Sequence, residues 1–161
     1  MSAGTRGKWS EGEVQKVLQS LEGSNSNFTF NRNLDARAAR GKFPVQTGDY
    51  QAFYRAESGE ALNYVIEVKE IEMFKAPERA HRLDYKSMSV DSVARMRRRE
   101  LAGSIIIILL CHRLTTRNCV WRSPSFSFFK TREAKTPSGS WVVQDFPEIK
   151  LTEYLEETLI Y

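Results

Sequence analysis

The sequence predicts an α/β fold in which a mixed β-sheet is flanked by helices. Three observations support this prediction. Apolar residues recur at helical spacing near both ends of the chain. Two segments rich in β-forming residues, 47–56 and 62–71, are separated by the turn sequence ESGE. The aliphatic run SIIIILLCHR (104–113) has the length and composition of a central strand that is covered on both faces.

The N-terminal half is predicted to form one helix and three strands. Ser10 is a suitable N-cap, Glu11 and Glu13 lie in the first helical turn, and Gly23 ends the helix. FTF (28–30) begins a short strand, and residues 33–46 form a basic loop. The segments 47–56 and 62–71 then form an antiparallel hairpin, because a turn at 57–60 joins them.

The C-terminal half is predicted to supply two helices and several strands. Residues 72–86 are expected to be irregular, and Ser87 or Ser89 caps a helix that runs to about Leu101 and ends at Gly103. The strand 104–113 follows. Shorter strands are expected at NCVW (118–121), FSFF (126–129) and WVV (141–143), and an acidic helix at about 148–160.

Length and composition limit the possible classes of protein. We expect 161 residues to form a single domain, with a core at about 10–130 and flexible residues 1–8. The contents of hydrophobic (41%) and charged (27%) residues are those of a globular protein. The aliphatic run is much shorter than the roughly 20 residues of a membrane span, so no membrane partner is expected. Two cysteines and two histidines predict neither a disulfide framework nor a zinc site, and a cytoplasmic location is expected.

The formal net charge of +4 is concentrated in clusters of basic residues. Clustered arginine favours a polyanionic partner, most often nucleic acid, although such clusters also occur on ordinary solvated surfaces. The candidate DNA-binding residues are Arg37, Arg40, Lys42, Arg95, Arg97, Arg98 and Arg99.

The predicted hairpin brings two carboxylates and a lysine together. Opposed residues of the hairpin have index sums near 117, which places Asp49 beside residues 67–68. Glu67 and Lys69 are two residues apart and therefore share a face of the sheet. A carboxylate pair can hold Mg²⁺, and a neighbouring lysine can orient water or offset charge on a phosphate. The alternative is that Glu67 and Lys69 form the solvent face of an ordinary strand.

The segments TGDYQAFY and YVIEVKE, with the helices around them, resemble the PD-(D/E)xK nuclease superfamily over residues 10–113. Within it, they look most similar to the RecU-type Holliday-junction resolvases, and phage and archaeal junction resolvases share the scaffold. The family has a proline where this chain has Gly48. The resemblance implies a restriction-endonuclease-like α-β-β-β-α-β core.

The resemblance also implies an activity. It implies a homodimeric endonuclease that depends on Mg²⁺, with Mn²⁺ as a substitute, and that cuts branched DNA such as the four-way Holliday junction. Asp49, Glu67 and Lys69 take the catalytic positions, and Asp49 and Glu67 are metal ligands. A glutamate of the first helix, Glu11 or alternatively Glu13, completes the site. A restriction-like or end-processing nuclease and a non-catalytic DNA-binding module remain alternatives.

Overall fold

The computed structural model describes residues 8–33, 47–72, 82–130, 140–142 and 146–160. It contains four α-helices: α1 (Lys8–Ser24), α2 (Val90–Leu101), α3 (Phe126–Lys130) and α4 (Leu151–Leu159). The strands are β1 (Phe28–Arg32), β2 (Tyr50–Arg55), β3 (Ala61–Glu72), β4 (Arg82–Asp84), β5 (Ile105–Arg113), β6 (Cys119–Arg122), β7 (Ser140–Val142) and β8 (Glu148–Ile149). A short 3-10 helix, Tyr85–Met88, precedes α2.

The predicted α/β class with a mixed central sheet is confirmed. Six strands form one sheet in the order β1-β2-β3-β5-β6-β8. β3 and β5 pair in parallel, whereas the other neighbours in this sheet pair antiparallel. Strands β4 and β7 form a separate two-stranded sheet. The aliphatic strand β5 lies inside the six-stranded sheet and is buried along most of its length, as predicted.

Helices cover both faces of the six-stranded sheet. On one face, Leu18 of α1 and Leu155 of α4 share a hydrophobic cluster with Ile66 of β3. On the other face, Met96 of α2 and Phe129 of α3 share a cluster with further strand residues, among them Val65, Ile108 and Leu110. Neighbouring strand residues enter different clusters because side chains alternate between the faces.

The hairpin register agrees with the sequence prediction. Tyr50 pairs with Ile66 and Arg55 with Ala61, so the index sum is 116. The turn at 57–60 is closed by hydrogen bonds from Ala56 N–H to the Glu60 carbonyl and from Gly59 N–H to the Ala56 carbonyl. This register brings Asp49 level with the segment that contains Glu67.

The prediction of a strand at 126–129 is wrong, because these residues belong to helix α3. Phe126 and Phe129 are both buried, and their spacing of three puts them on one face of a helix but not of a strand. Ser125 supports the first turn, where its hydroxyl accepts a hydrogen bond from Ser127 N–H. Phe128 is partly exposed, and its ring packs edge-on against that of Phe146.

Several predicted element boundaries also need correction. Helix α1 begins at Lys8, so Ser10 lies inside the helix rather than at its N-cap. The last helix begins at Leu151 rather than near 148, because residues 148 and 149 pair with β6 as strand β8. Of the segment 72–86, expected to be irregular, residues 82–84 form β4 and residues 85 and 86 begin the 3-10 helix. Ser89 is the N-cap of α2, and its hydroxyl accepts from Ser92 N–H.

Within the described part of the chain, no helix is both long enough and apolar enough to cross a membrane. The predicted flexibility of residues 1–8 falls on residues 1–7 outside the described ranges and on Lys8, which begins α1.

Candidate active site

The candidate active site lies where β2 begins and β3 continues beyond it. Strand β2 pairs with residues 61–66 of β3, whereas β5 pairs with β3 from Tyr64 to Glu72. Asp49 lies at this boundary. Its N–H donates to the Ile66 carbonyl over 2.8 Å, and its Oδ2 accepts from Val68 N–H over 2.7 Å. The Asp49 side chain therefore extends the hydrogen-bond ladder with β3 beyond Tyr50, the first residue of β2.

Two neighbours fix the segment that carries Asp49. Gly48 has a φ of +75°, a conformation that suits glycine, and a Cβ here would lie 2.7 Å from Val65 Cγ1. Asn33, just after β1, donates through Nδ2 to the carbonyls of Thr47 (2.8 Å) and Gly48 (3.0 Å). Asn33 N–H also donates to the Asp49 carbonyl. No sequence pattern marks Asn33, because its role depends on contact with the segment that contains Thr47 and Gly48.

Glu67 and Lys69 form an ion pair on the same face of β3. The distance between Glu67 Oε1 and Lys69 Nζ is 2.5 Å. The Glu67 side chain is 11% exposed and the Lys69 side chain 24% exposed. The interpretation of these residues as an ordinary solvent face of a strand is therefore wrong. Both groups are largely enclosed, yet they can still be reached from solvent.

Glu11 approaches this site from α1, past the ends of β1 and β2. The Tyr50 hydroxyl donates to the Glu11 carbonyl over 2.9 Å, which fixes the first turns of the helix against β2. The Glu11 side chain binds Arg32, with 2.7 Å between Oε2 and Nη2. Glu13, the alternative helix acid, binds Lys16 of its own helix over 2.7 Å.

The electrostatics of Asp49 join these residues into one site. Burial first, and then the charges of Glu67 and Glu11, raise the pKa of Asp49 to about 7 against the opposing effects of Val68 N–H and Lys69. Glu11 is thus the helix acid whose charge acts on Asp49. Burial alone would lower the pKa of Lys69, but Glu67, Asp49 and Glu11 more than compensate and the pKa is raised. Lys69 therefore carries its positive charge at neutral pH.

The N-terminus of α1 is anchored by a buried ion pair. The Glu70 carboxylate accepts from Ser10 N–H over 3.3 Å and binds Arg113 Nη1 over 3.0 Å. The Arg113 guanidinium lies over the Trp9 ring, 5.0 Å from its centre. The Glu70 side chain is 5% exposed, so this carboxylate is buried. This anchor holds the helical turn from which Glu11 extends.

The arginines of α2 lie on the same side of the sheet as Glu67 and Lys69. Val65 packs in the cluster that contains Met96 of α2, and strand alternation gives Glu67 and Lys69 the same direction. Three of these arginines, at positions 97, 98 and 99, are exposed, whereas Arg95 is half-buried and donates to Ser92 Oγ. The other basic candidates, Arg37, Arg40 and Lys42, lie outside the described residues.

Asp49, Glu67 and Glu11 are the candidate ligands for the Mg²⁺ that the sequence resemblance implies. In the described ranges, no three His, Cys, Asp or Glu side chains are arranged to hold a metal ion. Asp49 and Glu67 provide two carboxylates, and the third candidate, Glu11, is bound to Arg32. Oxygen ligands of this kind suit Mg²⁺. Burial first, and then repulsion from Glu67 and Glu11, raises the pKa of Asp49, and a divalent cation would relieve that repulsion. As a pair of oxygen donors, Asp49 and Glu67 have the chemistry that Mg²⁺ takes.

Comparison with models of known protein families gives no match, and comparison with curated proteins gives none either.

Proposed function

We propose that this protein is a Mg²⁺-dependent endonuclease with a restriction-endonuclease-like fold, which hydrolyses phosphodiester bonds in branched DNA and resolves Holliday junctions. The observation that carries the proposal is the arrangement at the start of β2. The Asp49 carboxylate accepts a hydrogen bond from Val68 N–H of β3, and Glu67 and Lys69 form a largely buried ion pair on that strand.

Each side chain has a chemical task in this proposal. Asp49 and Glu67, with Glu11, would hold the cation, or Mn²⁺ in its place, which when bound polarises the scissile phosphate and lowers the pKa of a water. Lys69 is held positively charged by the surrounding carboxylates. With three N–H donors, its ammonium can keep Glu67 in place and also orient a water molecule or offset charge on a phosphate oxygen.

The choice of DNA as substrate is supported by the basic face of α2. In the sheet, Glu67 pairs with Ile108 of β5 and Lys69 pairs with Leu110. These two residues lie three and five positions after Ile105, the first residue of β5, which follows the C-terminal end of α2. At about 3.3 Å per residue this separation is roughly 10–17 Å, so one nucleic acid can contact both regions. Resolution of a junction needs two symmetric cuts, and we propose a homodimer that acts in the cytoplasm.

The test is single-turnover cleavage of a four-way junction beside a gel-shift assay on the same protein. Glu67→Gln and Lys69→Ala should each reduce cleavage in Mg²⁺ by at least ~10²-fold, the scale for loss of one electrostatic catalytic group. Both variants should still bind the junction, since binding depends on the arginines. Glu57→Gln in the exposed hairpin turn and Lys16→Ala on α1 are matched controls that should cleave normally.

The same experiment separates the alternatives. Nicked and linear duplexes should resist cleavage under conditions that resolve the junction. Degradation of linear DNA from its ends would identify an end-processing nuclease, and binding without cleavage would identify a non-catalytic module. Cleavage at the parental rate by Glu67→Gln or Lys69→Ala would show that this is not the active site.

A further inference from the structure

Glu11 lies between Arg32, which binds its carboxylate, and the charged groups of the candidate active site. Its carboxylate binds Arg32 at the end of β1, and its charge also acts on Asp49 and Lys69. The Arg32 side chain is 53% exposed, whereas that of Glu11 is 24% exposed. A ligand arriving from solvent can therefore reach Arg32 without first displacing Glu11.

The backbone and the side chain of Glu11 are held by different contacts. The Tyr50 hydroxyl binds the Glu11 carbonyl, and Glu70 binds the N–H of the preceding residue, Ser10. Among the described residues, Arg32 is the partner that holds the Glu11 carboxylate. A change in the partner of Arg32 would thus redirect the Glu11 side chain without moving α1.

We propose that Arg32 holds Glu11 away from Asp49 and Glu67 until a nucleic-acid phosphate binds Arg32, and that Glu11 then turns to complete the cation site. This inference rests on the proposed function. Without a cation, a third carboxylate beside Asp49 and Glu67 is repelled, so Glu11 stays with Arg32. Guanidinium binds phosphate with two parallel hydrogen bonds, so a backbone phosphate can replace the carboxylate. Arg32 is then a positioning residue as well as a phosphate contact.

The mechanism couples the binding of nucleic acid to the binding of the cation. If phosphate binding at Arg32 strengthens the cation site, the cation must strengthen phosphate binding by the same factor. The free protein would hold the cation with two carboxylates, and the DNA-bound protein with three. The complete cation site, and with it the ability to cleave, would therefore form only when the DNA substrate is bound.

The test is a double-mutant cycle on Mn²⁺ affinity, measured by electron paramagnetic resonance without DNA. Arg32→Ala should bind Mn²⁺ at least about tenfold more tightly than the parent, the lower end of what positioning of a metal ligand contributes. Glu11→Gln should bind Mn²⁺ no more tightly than the parent, because in the free protein the Glu11 carboxylate is bound to Arg32. In the Arg32→Ala, Glu11→Gln double variant, the gain should disappear. This last result distinguishes a released ligand from the removal of a positive charge.

A four-way junction with phosphorothioate linkages, which retains its charge and resists hydrolysis, provides the second arm. After subtraction of Mn²⁺ bound by the junction alone, the junction should tighten Mn²⁺ binding to the parent but not to Glu11→Gln. Matched controls are Glu13→Gln, whose side chain binds Lys16, and Arg55→Ala, at the far end of β2. Circular dichroism verifies that each variant is folded.

The outcomes separate this inference from the proposed function. If the parent binds Mn²⁺ and cleaves junctions, but Arg32→Ala gains no affinity or keeps its gain in the Glu11→Gln background, the role of Arg32 is refuted alone. If no variant binds Mn²⁺ with or without DNA, the cation site is wrong and both proposals fall.

Discussion

Replacement of Asp49 by Asn should stabilise the cation-free protein at neutral and alkaline pH. The amide oxygen of Asn can still accept the hydrogen bond from Val68 N–H, whereas the negative charge is lost. The charged groups that act on Asp49 are Glu67 and Lys69 from β3 and Glu11 from α1. Since burial and the two glutamates oppose ionisation of Asp49, the folded protein is more stable when this position is neutral.

The magnitude follows from the raised pKa. Burial, then Glu67, raises the pKa of Asp49 from 3.8 to about 7, which corresponds to a cost on the order of 4 kcal/mol when the group is fully ionised. Between about pH 4 and 7, the folded protein binds a proton that the unfolded chain releases, so the free energy of unfolding falls as the pH rises. Below this window the cost is absent, and above it the cost is complete.

The assay is thermal and urea denaturation of parent and Asp49→Asn in a chelator between pH 4.5 and 8.5. At pH 8 the variant should be more stable by up to about 4 kcal/mol, or roughly 8–16 °C in Tm for a chain of this size. The difference should shrink towards pH 4.5. Asp91→Asn, which changes an exposed acid in the first turn of α2, is the matched control.

Mg²⁺ provides a second readout of the same carboxylate. The cation should raise the Tm of the parent more at pH 8 than at pH 5.5, because below pH 7 it must displace the proton on Asp49. It should leave the Tm of Asp49→Asn nearly unchanged. A variant no more stable than the parent at pH 8, or a difference independent of pH, would refute this reasoning.

Three further predictions concern the groups around the site. Gly48→Ala should cost about 1–3 kcal/mol of stability and impair junction cleavage, because its Cβ would meet Val65 Cγ1 at 2.7 Å and Asp49 would shift; unchanged denaturation midpoints and rates would contradict this. Arg113→Ala should cost about 3–5 kcal/mol in urea denaturation, because it leaves the Glu70 carboxylate buried without its cation; the exposed Arg117→Ala is the control, and equal midpoints would show that the pair is unimportant. Replacement of Arg97, Arg98 and Arg99 by Ala should lower the slope of log affinity for duplex arms against log salt by up to about 3, and an unchanged slope would show that these residues are only solvated surface.

The relative placement of Asp49, Glu67 and Lys69 could be predicted from the sequence. It depends on local information: the position of the ESGE turn, the alternation of side chains and the absence of a bulge in the described hairpin. Helix α2 with its cap at Ser89, and the buried strand β5, also follow from patterns within a few residues. The mixed sheet follows from these elements, since a helix joins β3 to a parallel neighbour.

Long-range contacts determined the features that local sequence patterns do not predict. FSFF has strand-like composition, yet packing of Phe126 and Phe129 against one face of the sheet makes it helical. Nothing near Glu70 in the sequence indicates that Arg113, 43 residues away, and the first turn of α1 enclose it. The pairing of Glu11 with Arg32 likewise depends on how α1 lies across the sheet. The sequence determined which charged groups occupy the site, because strand periodicity is local; only the tertiary structure decided their partners, because ion pairs form between segments that the fold brings together.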